Sequence, residues 1–342
     1  MLSIDFSELR REAYSEFESA NYGRSAELLE QLSEIIGDDA KLLNDMAVAL
    51  FKSGRTSEAL SRFRQAFEVQ ARTSFLISDN LTDVLNELLS SHKKNIDDSS
   101  HLSNTYCPVC KSANKGFKPI PEFYLRNFEI YGFEHFEKGE MTPRESYLCS
   151  VCGASDRERL YAHWILMMLV RGEIDKRINI MHFAPESGLS GWIKSLGFEN
   201  YATSDYTMSG VDYHSDLMDL PFDDNSIDFF ICSHVLEHVE DDRAALQELF
   251  RVTRRGGLGI LMVPIVSGLE AIDEDPCESD VAERWRRFGQ DDHVRLYNRE
   301  GFLERICEAG FKVKTLDVSY FGLATFESLG LKSESVLYIV NR

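Results

Sequence analysis

The chain has no surplus of positive charge. Its 342 residues include 37 lysines and arginines against 57 aspartates and glutamates, so the formal net charge is -20 at pH 7. A surplus of negative charge repels a polyphosphate backbone at long range. Nucleic acid is therefore a poor candidate partner, although a local basic groove is compatible with this composition.

Long apolar runs are also absent. The longest stretch, Leu160 to Val170, contains His163 and is too short to cross a bilayer. The N-terminus, MLSIDFSELRREAY, has acidic residues where a signal peptide needs an uninterrupted apolar stretch. We therefore expect a cytoplasmic protein without a membrane segment. Hydrophobic residues at 43% and aromatic residues at 11% are enough for packed cores, and the length suits two or three domains.

Cysteine is sparse and unevenly placed. Four of the seven cysteines form two Cys-x-x-Cys pairs, Cys107 with Cys110 and Cys149 with Cys152. In a reducing compartment such pairs favour metal over disulfide, and two knuckles aimed at one ion suit a structural Zn(II) site. A catalytic zinc fits less well because four thiolates close the coordination sphere; four unrelated cysteines are the alternative. The interval between the pairs exceeds that of a usual zinc ribbon, so residues 105–158 are predicted to form a zinc-binding module with a small lobe of its own.

The N-terminal region is predicted to be helical throughout. From Ser7 to about Leu89 apolar residues recur at three- and four-residue spacing, without strand-like alternation. NYGRSAELLEQL and SGRTSEALSRFRQAF resemble each other, and Ala26 and Ala59 lie about one tetratricopeptide period of roughly 34 residues apart. We interpret residues 1–92 as a tetratricopeptide-like domain that docks a protein partner, with a third helix pair around Leu76 to Leu89; a plain helical bundle is the alternative. The polar segment 93–104 is predicted to be a linker.

From Arg177 onward, predicted strands and helices alternate. This alternation favours an α/β fold with a doubly wound, mostly parallel sheet covered by helices. The last two predicted strands, FKVKTLDVS and ESVLYIV, are separated by a segment with little room for a full crossover helix. An antiparallel final pair added to a five-stranded nucleotide-binding sheet is the outline of a seven-stranded, Rossmann-like class I methyltransferase.

A specific resemblance supports this outline. The segment SDLMDLPFDDNSIDFFICSHVLEHVEDD, from Ser215 to Asp242, and the RVTRRGGLGILMVP after it resemble S-adenosylmethionine-dependent methyltransferases of the type 11 kind. The likeness covers Ile178 to about Val318, while CPVC, CSVCGASDRERL, HFAPE and FGQDDHVRLY resemble a subgroup with an N-terminal zinc module. The resemblance implies a methyltransferase domain at residues 159–342 with S-adenosylmethionine as cofactor.

Four further residues are predicted to contact this cofactor, three of them at its adenosine part. Asp205 ends the second strand, where a carboxylate can accept from both ribose hydroxyls. Asp216 ends the third strand, where it can accept from the adenine amino group, and the Leu217 backbone N–H can meet a ring nitrogen. Ser233 lies in the segment predicted to form the rim of the cofactor pocket.

The glycine turn of the family is missing here. In the family the first strand ends in an acidic residue followed by Gly-x-Gly-x-Gly, and His182, Ala184, Glu186 and Gly188 occupy those positions. The loss would matter for a pyrophosphate, which needs close backbone N–H groups. S-adenosylmethionine has no phosphate and presents an ammonium and a carboxylate instead. We interpret the stretch as a variant turn in which Glu186 meets the ammonium; a lost cofactor site is the alternative.

The acceptor side is predicted from two histidine-bearing segments. HVLEH also spells the motif of inverted zinc peptidases, which requires a helix with both histidines on one face, whereas His234 closes a predicted strand. In the methyltransferase interpretation His234, Glu237 or His238 is a base or substrate ligand, unless the histidines only cap the next helix. Polar residues of FGQDDHVRLY crowd the insertion after the fifth strand, and His293 is the leading candidate for a base near the acceptor.

Three functions remain open from the sequence. The first is an S-adenosylmethionine-dependent methyltransferase acting on a small molecule, a glycan or a protein. The second is a zinc-containing RNA methyltransferase, against which the negative charge argues. The third is a non-catalytic scaffold whose methyltransferase domain is vestigial.

Overall fold

The computed structural model describes residues 6–36, 40–69, 105–114 and 116–342. These residues divide into two compact units, of which the first contains the N-terminal helices and is grouped with the segment Met168–Glu173, and the second contains the rest. Within the described residues, no helix is both long and apolar enough to span a membrane.

The first unit contains four helices that pack in chain order: α1 (Phe6–Glu18), α2 (Tyr22–Ile36), α3 (Ala40–Lys52) and α4 (Thr56–Val69). Ala26 in α2 and Ala59 in α4 are fully buried in one apolar cluster, as expected for small residues that let helices approach closely. The helical prediction is confirmed for these residues, and the tetratricopeptide assignment stays a prediction. The predicted helix pair at Leu76 to Leu89 and the predicted linker lie outside the described residues.

The second unit opens with short elements that carry the two cysteine pairs. They are β1 (Thr105–Cys107), β2 (Ser112–Asn114), β3 (Phe117–Lys118), α5 (Glu122–Tyr131), a 3-10 turn (Phe136–Lys138), β4 (Leu148–Cys149) and α6 (Asp156–Val170). The start of α6 is fixed by a capping box, as its sequence predicts. The Ser155 backbone N–H donates to Glu158 Oε2 at 2.7 Å, and the Glu158 N–H donates back to Ser155 Oγ at 3.4 Å.

The rest of the unit is a layered α/β domain. Its elements are β5 (Asn179–Phe183), α7 (Ser187–Ser195), β6 (Asn200–Asp205), β7 (Tyr213–His214), β8 (Ile227–Ser233), α8 (Asp242–Val252), β9 (Thr253–Met262), β10 (Asp273–Glu274), α9 (Val281–Phe288), β11 (Arg295–Leu296), α10 (Arg299–Glu308), β12 (Lys312–Leu316), α11 (Val318–Phe321), α12 (Leu323–Leu329) and β13 (Leu337–Asn341). Seven of the strands form one sheet in the order β12-β13-β9-β8-β5-β6-β7, in which only β13 runs antiparallel to its neighbours. The predicted antiparallel final pair is therefore confirmed.

The segment between β12 and β13 holds two short helices, α11 and α12, and no full crossover helix, as its length predicts. Two local details differ from the expected pattern. The family resemblance implies a Gly-Gly turn between the helix and the fifth strand of RVTRRGGLGILMVP, but β9 already begins at Thr253 and includes Gly256 at φ 76° beside a register shift. The third strand, β7, ends at His214, so Asp216 lies two residues beyond it.

The aromatic segment between the cysteine pairs does not stand as a separate lobe. Its helix α5 packs against α9 of the insertion that follows β9. Tyr131 stacks on Trp285 with ring centroids 5.9 Å apart, and Phe128 lies 6.2 Å from the same ring. Aromatic burial therefore joins the segment between the cysteine pairs to the α/β domain.

Candidate functional site

The candidate site lies at the carboxyl edge of the sheet, where four neighbouring strands end. Phe183 at the end of β5 pairs with Ser204 of β6 on one side and Cys232 of β8 on the other, and Asp205 of β6 pairs with His214 of β7. Parallel strands bring their carboxyl ends to one edge, and open α/β sheets bind ligands there. The predicted cofactor residues follow these strand ends.

The turn after β5 adopts the backbone that the missing glycines would favour. Ala184 has φ 47°, a left-handed conformation that a glycine would adopt without strain. Its N–H donates to Ser204 O at 2.8 Å, which holds the strained residue in place. Gly188, in the first turn of α7, has Glu158 Oε1 3.2 Å from the position a Cβ would take, so the retained glycine lets α6 and α7 approach closely.

Glu186 lies between two cationic or polar partners. Its Oε2 is 3.0 Å from His182 Nε2, and its Oε1 is 3.5 Å from Arg157 Nε. Burial raises the pKa of Glu186, but the hydrogen bond to His182 and the positive charges nearby outweigh it and lower the pKa to about 2. Glu186 is therefore ionised at neutral pH, and two of the three substituted positions, His182 and Glu186, contact each other directly.

The two carboxylates that are predicted to contact the adenosine part, Asp205 and Asp216, are fixed by local turns. Asp205 Oδ1 accepts from the N–H groups of Thr207 and Met208 at 2.8 and 2.6 Å. Asp216 Oδ1 accepts from the Met218 N–H at 2.9 Å, and the neighbouring Leu217 side chain is buried. Both carboxylates are thus held in set orientations at the ends of adjacent strands.

The segment after β8 is a turn and not a helix. Ser233 is buried and its hydroxyl lies 2.9 Å from the Tyr161 hydroxyl. His234 has φ 56°, and its Nδ1 lies 3.2 Å from Glu237 Oε1. The geometry that the peptidase motif requires is absent from this turn. The histidines do not cap α8 either, because Asp241 is the N-cap and accepts from two N–H groups.

The polar residues of the insertion after β9 have two different roles. His293 is buried and lines the same cavity as His234, and its role as a base near the acceptor stays a prediction. Arg295 and Tyr297 do not face this cavity. The Arg295 guanidinium donates to the carbonyls of Leu236 and Val239 at 2.5 Å each and to that of Glu240 at 2.9 Å. It therefore holds the turn after β8 in place instead of contacting an acceptor.

A cavity of about 300 Å³ lies beside this turn. Aromatic side chains and a group of polar side chains share its wall. The polar members are His135, Glu140, Tyr147, Arg157, His234, Glu237, His238, Gln290, His293 and Tyr338, and the aromatic members include Tyr124, Phe128, Phe133, Phe136 and Phe288. A concave site in which aromatic side chains and convergent polar groups share the wall is compatible with binding of a small molecule.

The pKa values of three histidines in the cavity are shifted in different directions. Burial lowers the pKa of His293 to about 4 and lowers that of His234, so both rings are neutral near pH 7. Burial also lowers the pKa of His238, but its contact with Asp292 outweighs this effect and raises it. Burial raises the pKa of Glu237, and attraction to the neighbouring histidines holds it below its ordinary value.

The four predicted zinc ligands converge. Their sulfur atoms all lie within 4.8 Å of one another, and the pairs Cys107–Cys152 and Cys110–Cys149 are 3.7 Å apart. A tetrahedral Zn(II) with Zn–S bonds of about 2.3 Å has sulfur–sulfur edges of about 3.8 Å, so the four thiols fit the ion. Burial raises the pKa of Cys107 and of Cys152, whereas backbone hydrogen bonds lower that of Cys149 to about 7.

Arg157 is a site residue to which the sequence interpretation gave no role, and Glu158 was predicted only as the capping-box partner of Ser155. Both lie in the first turn of α6, directly after the second cysteine pair, and they contact the turn after β5 from outside the sheet. Their signal was present in CSVCGASDRERL, which the family resemblance includes. No residue spacing links that segment to HFAPESG, because only the fold brings the two together.

Comparison with known proteins assigns a domain family to the middle of the chain. Residues 195–261 match a family model described as a methyltransferase domain. A demethylmenaquinone methyltransferase from Staphylococcus epidermidis is 43% identical over 49 residues, which are 14% of this chain and 20% of that protein. The chain therefore matches about one fifth of the length of this relative.

Solved structures superpose on part of the chain. The YcgJ protein from Bacillus subtilis covers 53% of this chain and 98% of its own at 15% identity, with a TM-score of 0.33. A S-adenosylmethionine-dependent methyltransferase from Thermotoga maritima, described as a possible histamine N-methyltransferase, covers 54% and 96% at 17% identity, with a TM-score of 0.32. These scores are too low to carry an argument, whereas the family match places a methyltransferase domain around Asp205, Asp216 and Glu237.

Proposed function

We propose that this chain transfers a methyl group from S-adenosylmethionine to a small molecule that enters the cavity beside the turn after β8. One observation carries the proposal. The segment that matches the methyltransferase domain supplies Asp205 and Asp216 at adjacent strand ends, and a cavity of about 300 Å³ lies at the same edge of the sheet, beyond β8. A volume of this size suits a small acceptor better than a folded protein or a glycan chain.

The residues at the first turn fit the methionine part of the cofactor. A zwitterionic amino acid needs a negative and a positive partner, and Glu186 and Arg157 present both at the end of β5. In this proposal Glu186 meets the ammonium and Arg157 meets the carboxylate. His182 is fully buried and orients Glu186. The loss of the glycines is therefore compatible with a working cofactor site.

The remaining contacts follow from the strand ends. Asp205 accepts from the ribose hydroxyls, and Asp216 and the Leu217 N–H meet the adenine. The sulfonium of the bound cofactor supplies an activated methyl group, so the leaving sulfur needs no acid. The chain's task is to place the acceptor in line with that methyl and to remove a proton where the acceptor is a hydroxyl. His234 and His293 are neutral near pH 7 and face the cavity, which suits this task.

The proposal includes a structural zinc ion in the cysteine cluster. Cys107, Cys110, Cys149 and Cys152 would hold it, and four thiolates leave no position for substrate. The Cys149–Cys152 knuckle directly precedes α6, whose first turn carries Arg157. The ion would therefore fix the helix end that supports the cofactor turn. Docking of a protein partner by the tetratricopeptide-like helices belongs to the same proposal.

Calorimetry with S-adenosylhomocysteine tests the cofactor site. The full-length, zinc-loaded chain should bind the compound, and Asp205→Ala and Glu186→Ala should each weaken binding by about 10- to 100-fold, since each removes a charge-assisted contact. Glu304→Ala is the matched control, because Glu304 is an exposed carboxylate on α10, which packs near the opposite edge of the sheet. Absence of binding by the wild-type chain would refute the methyltransferase proposal and favour the non-catalytic scaffold. Labelled methyl transfer into small-molecule extracts then identifies the acceptor.

A further inference from the structure

Three side chains in the cavity converge in a way that methyl transfer alone does not require. Ligand atoms of Glu237, His238 and His293 all lie within 4.8 Å of one another, and the three residues line the cavity. Glu237 and His238 come from the turn after β8, whereas His293 comes from the insertion. The fold therefore builds a cluster of two imidazoles and one carboxylate from separate segments.

Glu237 is buried with fewer polar contacts than a buried carboxylate needs. Its side chain is 0% exposed, Oε1 lies 3.2 Å from His234 Nδ1, and Oε2 has no hydrogen-bond partner among the described residues. An ionised carboxylate in such a place is costly unless a cation compensates it.

His293 is oriented as a metal ligand would be. Its Nδ1 lies 3.1 Å from the backbone carbonyl of Phe288, which can only accept, so Nδ1 carries the proton. The lone pair therefore resides on Nε2, which is buried and has no hydrogen-bond partner among the described residues. A histidine that donates one ring N–H to a carbonyl and presents the other nitrogen is the usual arrangement in metal sites.

His238 shows the same arrangement with a carboxylate. Its Nδ1 lies 3.2 Å from Asp292 Oδ2, and its ring packs edge-on to His293 with centroids 4.6 Å apart. The carboxylate of Asp292 fixes the ring and leaves Nε2 as the second nitrogen. The backbone carbonyl of Glu237 accepts from the Val294 N–H at 2.9 Å, so the two segments are locked together at this point.

We propose that Glu237, His238 and His293 bind a divalent transition-metal ion whose open positions face the cavity and hold a hydroxyl-bearing acceptor. Imidazole and carboxylate donors suit ions such as Zn(II), Fe(II) or Mn(II), and three protein ligands leave room for substrate oxygen. His234 borders the ion and orients Glu237. This site is distinct from the cysteine cluster, which the four sulfur atoms close.

The inference rests on the proposed function and narrows its acceptor to an alcohol, phenol or vicinal diol. In this arrangement His293 is a metal ligand and not a base, so the acceptor hydroxyl would release its proton to water as its oxygen binds the ion. An electron pair of that oxygen then forms the bond to the methyl carbon. The carbon–sulfur bond breaks and its electron pair returns to sulfur, so the products are a methyl ether and S-adenosylhomocysteine.

Binding of Mn(II) tests the site without reference to activity. The full-length chain is loaded with one equivalent of Zn(II), which the four thiols take, and is then titrated with MnCl₂ while free Mn(II) is followed by electron paramagnetic resonance. We expect one Mn(II) per chain. Glu237→Gln and His293→Gln should each weaken binding at least 10-fold, whereas His135→Gln should leave it unchanged. His135 lines the same cavity, and its buried Nδ1 also has no hydrogen-bond partner in the part of the chain that the structure describes, so it is a matched control.

The outcomes separate this inference from the proposed function. No binding of Mn(II) by the wild-type chain, or an equal loss in His135→Gln, would overturn the metal site. S-adenosylhomocysteine binding is measured by calorimetry on the same samples. If it is retained in Glu237→Gln while Mn(II) binding is lost, the variant is folded and the inference stands. If Mn(II) binds but S-adenosylhomocysteine does not, the methyltransferase proposal and the acceptor role fail together, and only the ion site remains.

Discussion

Replacement of Arg295 should destabilise the domain because this side chain holds the turn after β8. Arg295 is 1% exposed, and its guanidinium donates to three backbone carbonyls between Leu236 and Glu240. The substitution Arg295→Met keeps most of the apolar stem and removes only the charged donor. The effect therefore reports the hydrogen bonds rather than a cavity.

The magnitude follows from what is left behind. The carboxylates near Arg295 keep a partner, because Arg305 contacts Asp242 at 2.5 Å and Glu274 at 2.6 Å. The three carbonyls of the turn lose theirs. Hydrogen bonds to a charged donor contribute about 1.5–3 kcal/mol each, and part of the loss is recovered by water. We expect Arg295→Met to lower the free energy of unfolding by about 3–5 kcal/mol.

Urea unfolding followed by tryptophan fluorescence measures this change in the free energy of unfolding for the second compact unit. The chain has three tryptophans, at positions 164, 192 and 285, and all belong to the α/β unit. Arg286→Met is the control, because Arg286 lies on α9 of the same insertion and is exposed, with Glu283 as its ion-pair partner. The control should cost less than about 0.5 kcal/mol. A cost below about 1 kcal/mol for Arg295→Met would refute the structural role.

Three further predictions use other parts of the structure. Native mass spectrometry should find one zinc ion per chain. Cys152→Ser should remove this ion, whereas Cys277→Ser, at an exposed cysteine outside the cluster, should leave it bound. Zinc loss in both variants would contradict the four-thiol site. Because the folded pKa of Glu186 is about 2 and the unfolded value about 4.3, its charge stabilises the fold above pH 4.3 by about 2–3 kcal/mol, and this contribution disappears as pH falls towards 2. Urea titrations at pH 6 and pH 3 should therefore show a smaller acid loss in Glu186→Gln than in wild type, and equal losses would show that the carboxylate is not stabilised. Gly259→Ala places a Cβ 2.2 Å from a phenylalanine ring of β8 and should lower the melting temperature by several degrees. The control Gly191→Ala adds a Cβ in open space within α7 and should raise the melting temperature slightly. Similar shifts in the two variants would disprove the close approach of Gly259 to the ring.

The sequence could predict those parts of the fold whose signals are local. The strands β5 and β8 carry apolar runs bounded by turns, and the end of β6 places Asp205 where the family resemblance requires a ribose ligand. The two Cys-x-x-Cys pairs are also local signals, and the structure brings their sulfur atoms together. Such features depend on a few neighbouring residues, and the rest of the chain has only to be compatible with them.

Local sequence patterns could not predict that His293 and Arg295 of FGQDDHVRLY have different roles. His293 and Arg295 are two residues apart and both are buried, yet one faces the cavity and the other holds a turn more than fifty positions earlier in the chain. Composition treats them alike, since a polar cluster in a loop predicts solvent or substrate. Only the packing of the insertion on the turn after β8 decides which polar group meets backbone carbonyls.

Two strained residues tie the site together in physical terms. Ala184 and His234 follow the neighbouring strands β5 and β8, and both have positive φ, 47° and 56°. A left-handed conformation costs a non-glycine residue about 1–2 kcal/mol, so the surroundings must impose it. Each residue donates its N–H to the next strand at 2.8 Å, Ala184 to Ser204 and His234 to Met262. The sheet edge thus fixes the turn that carries Glu186 and the turn that carries Glu237, and this is why a site without its glycines can keep its shape.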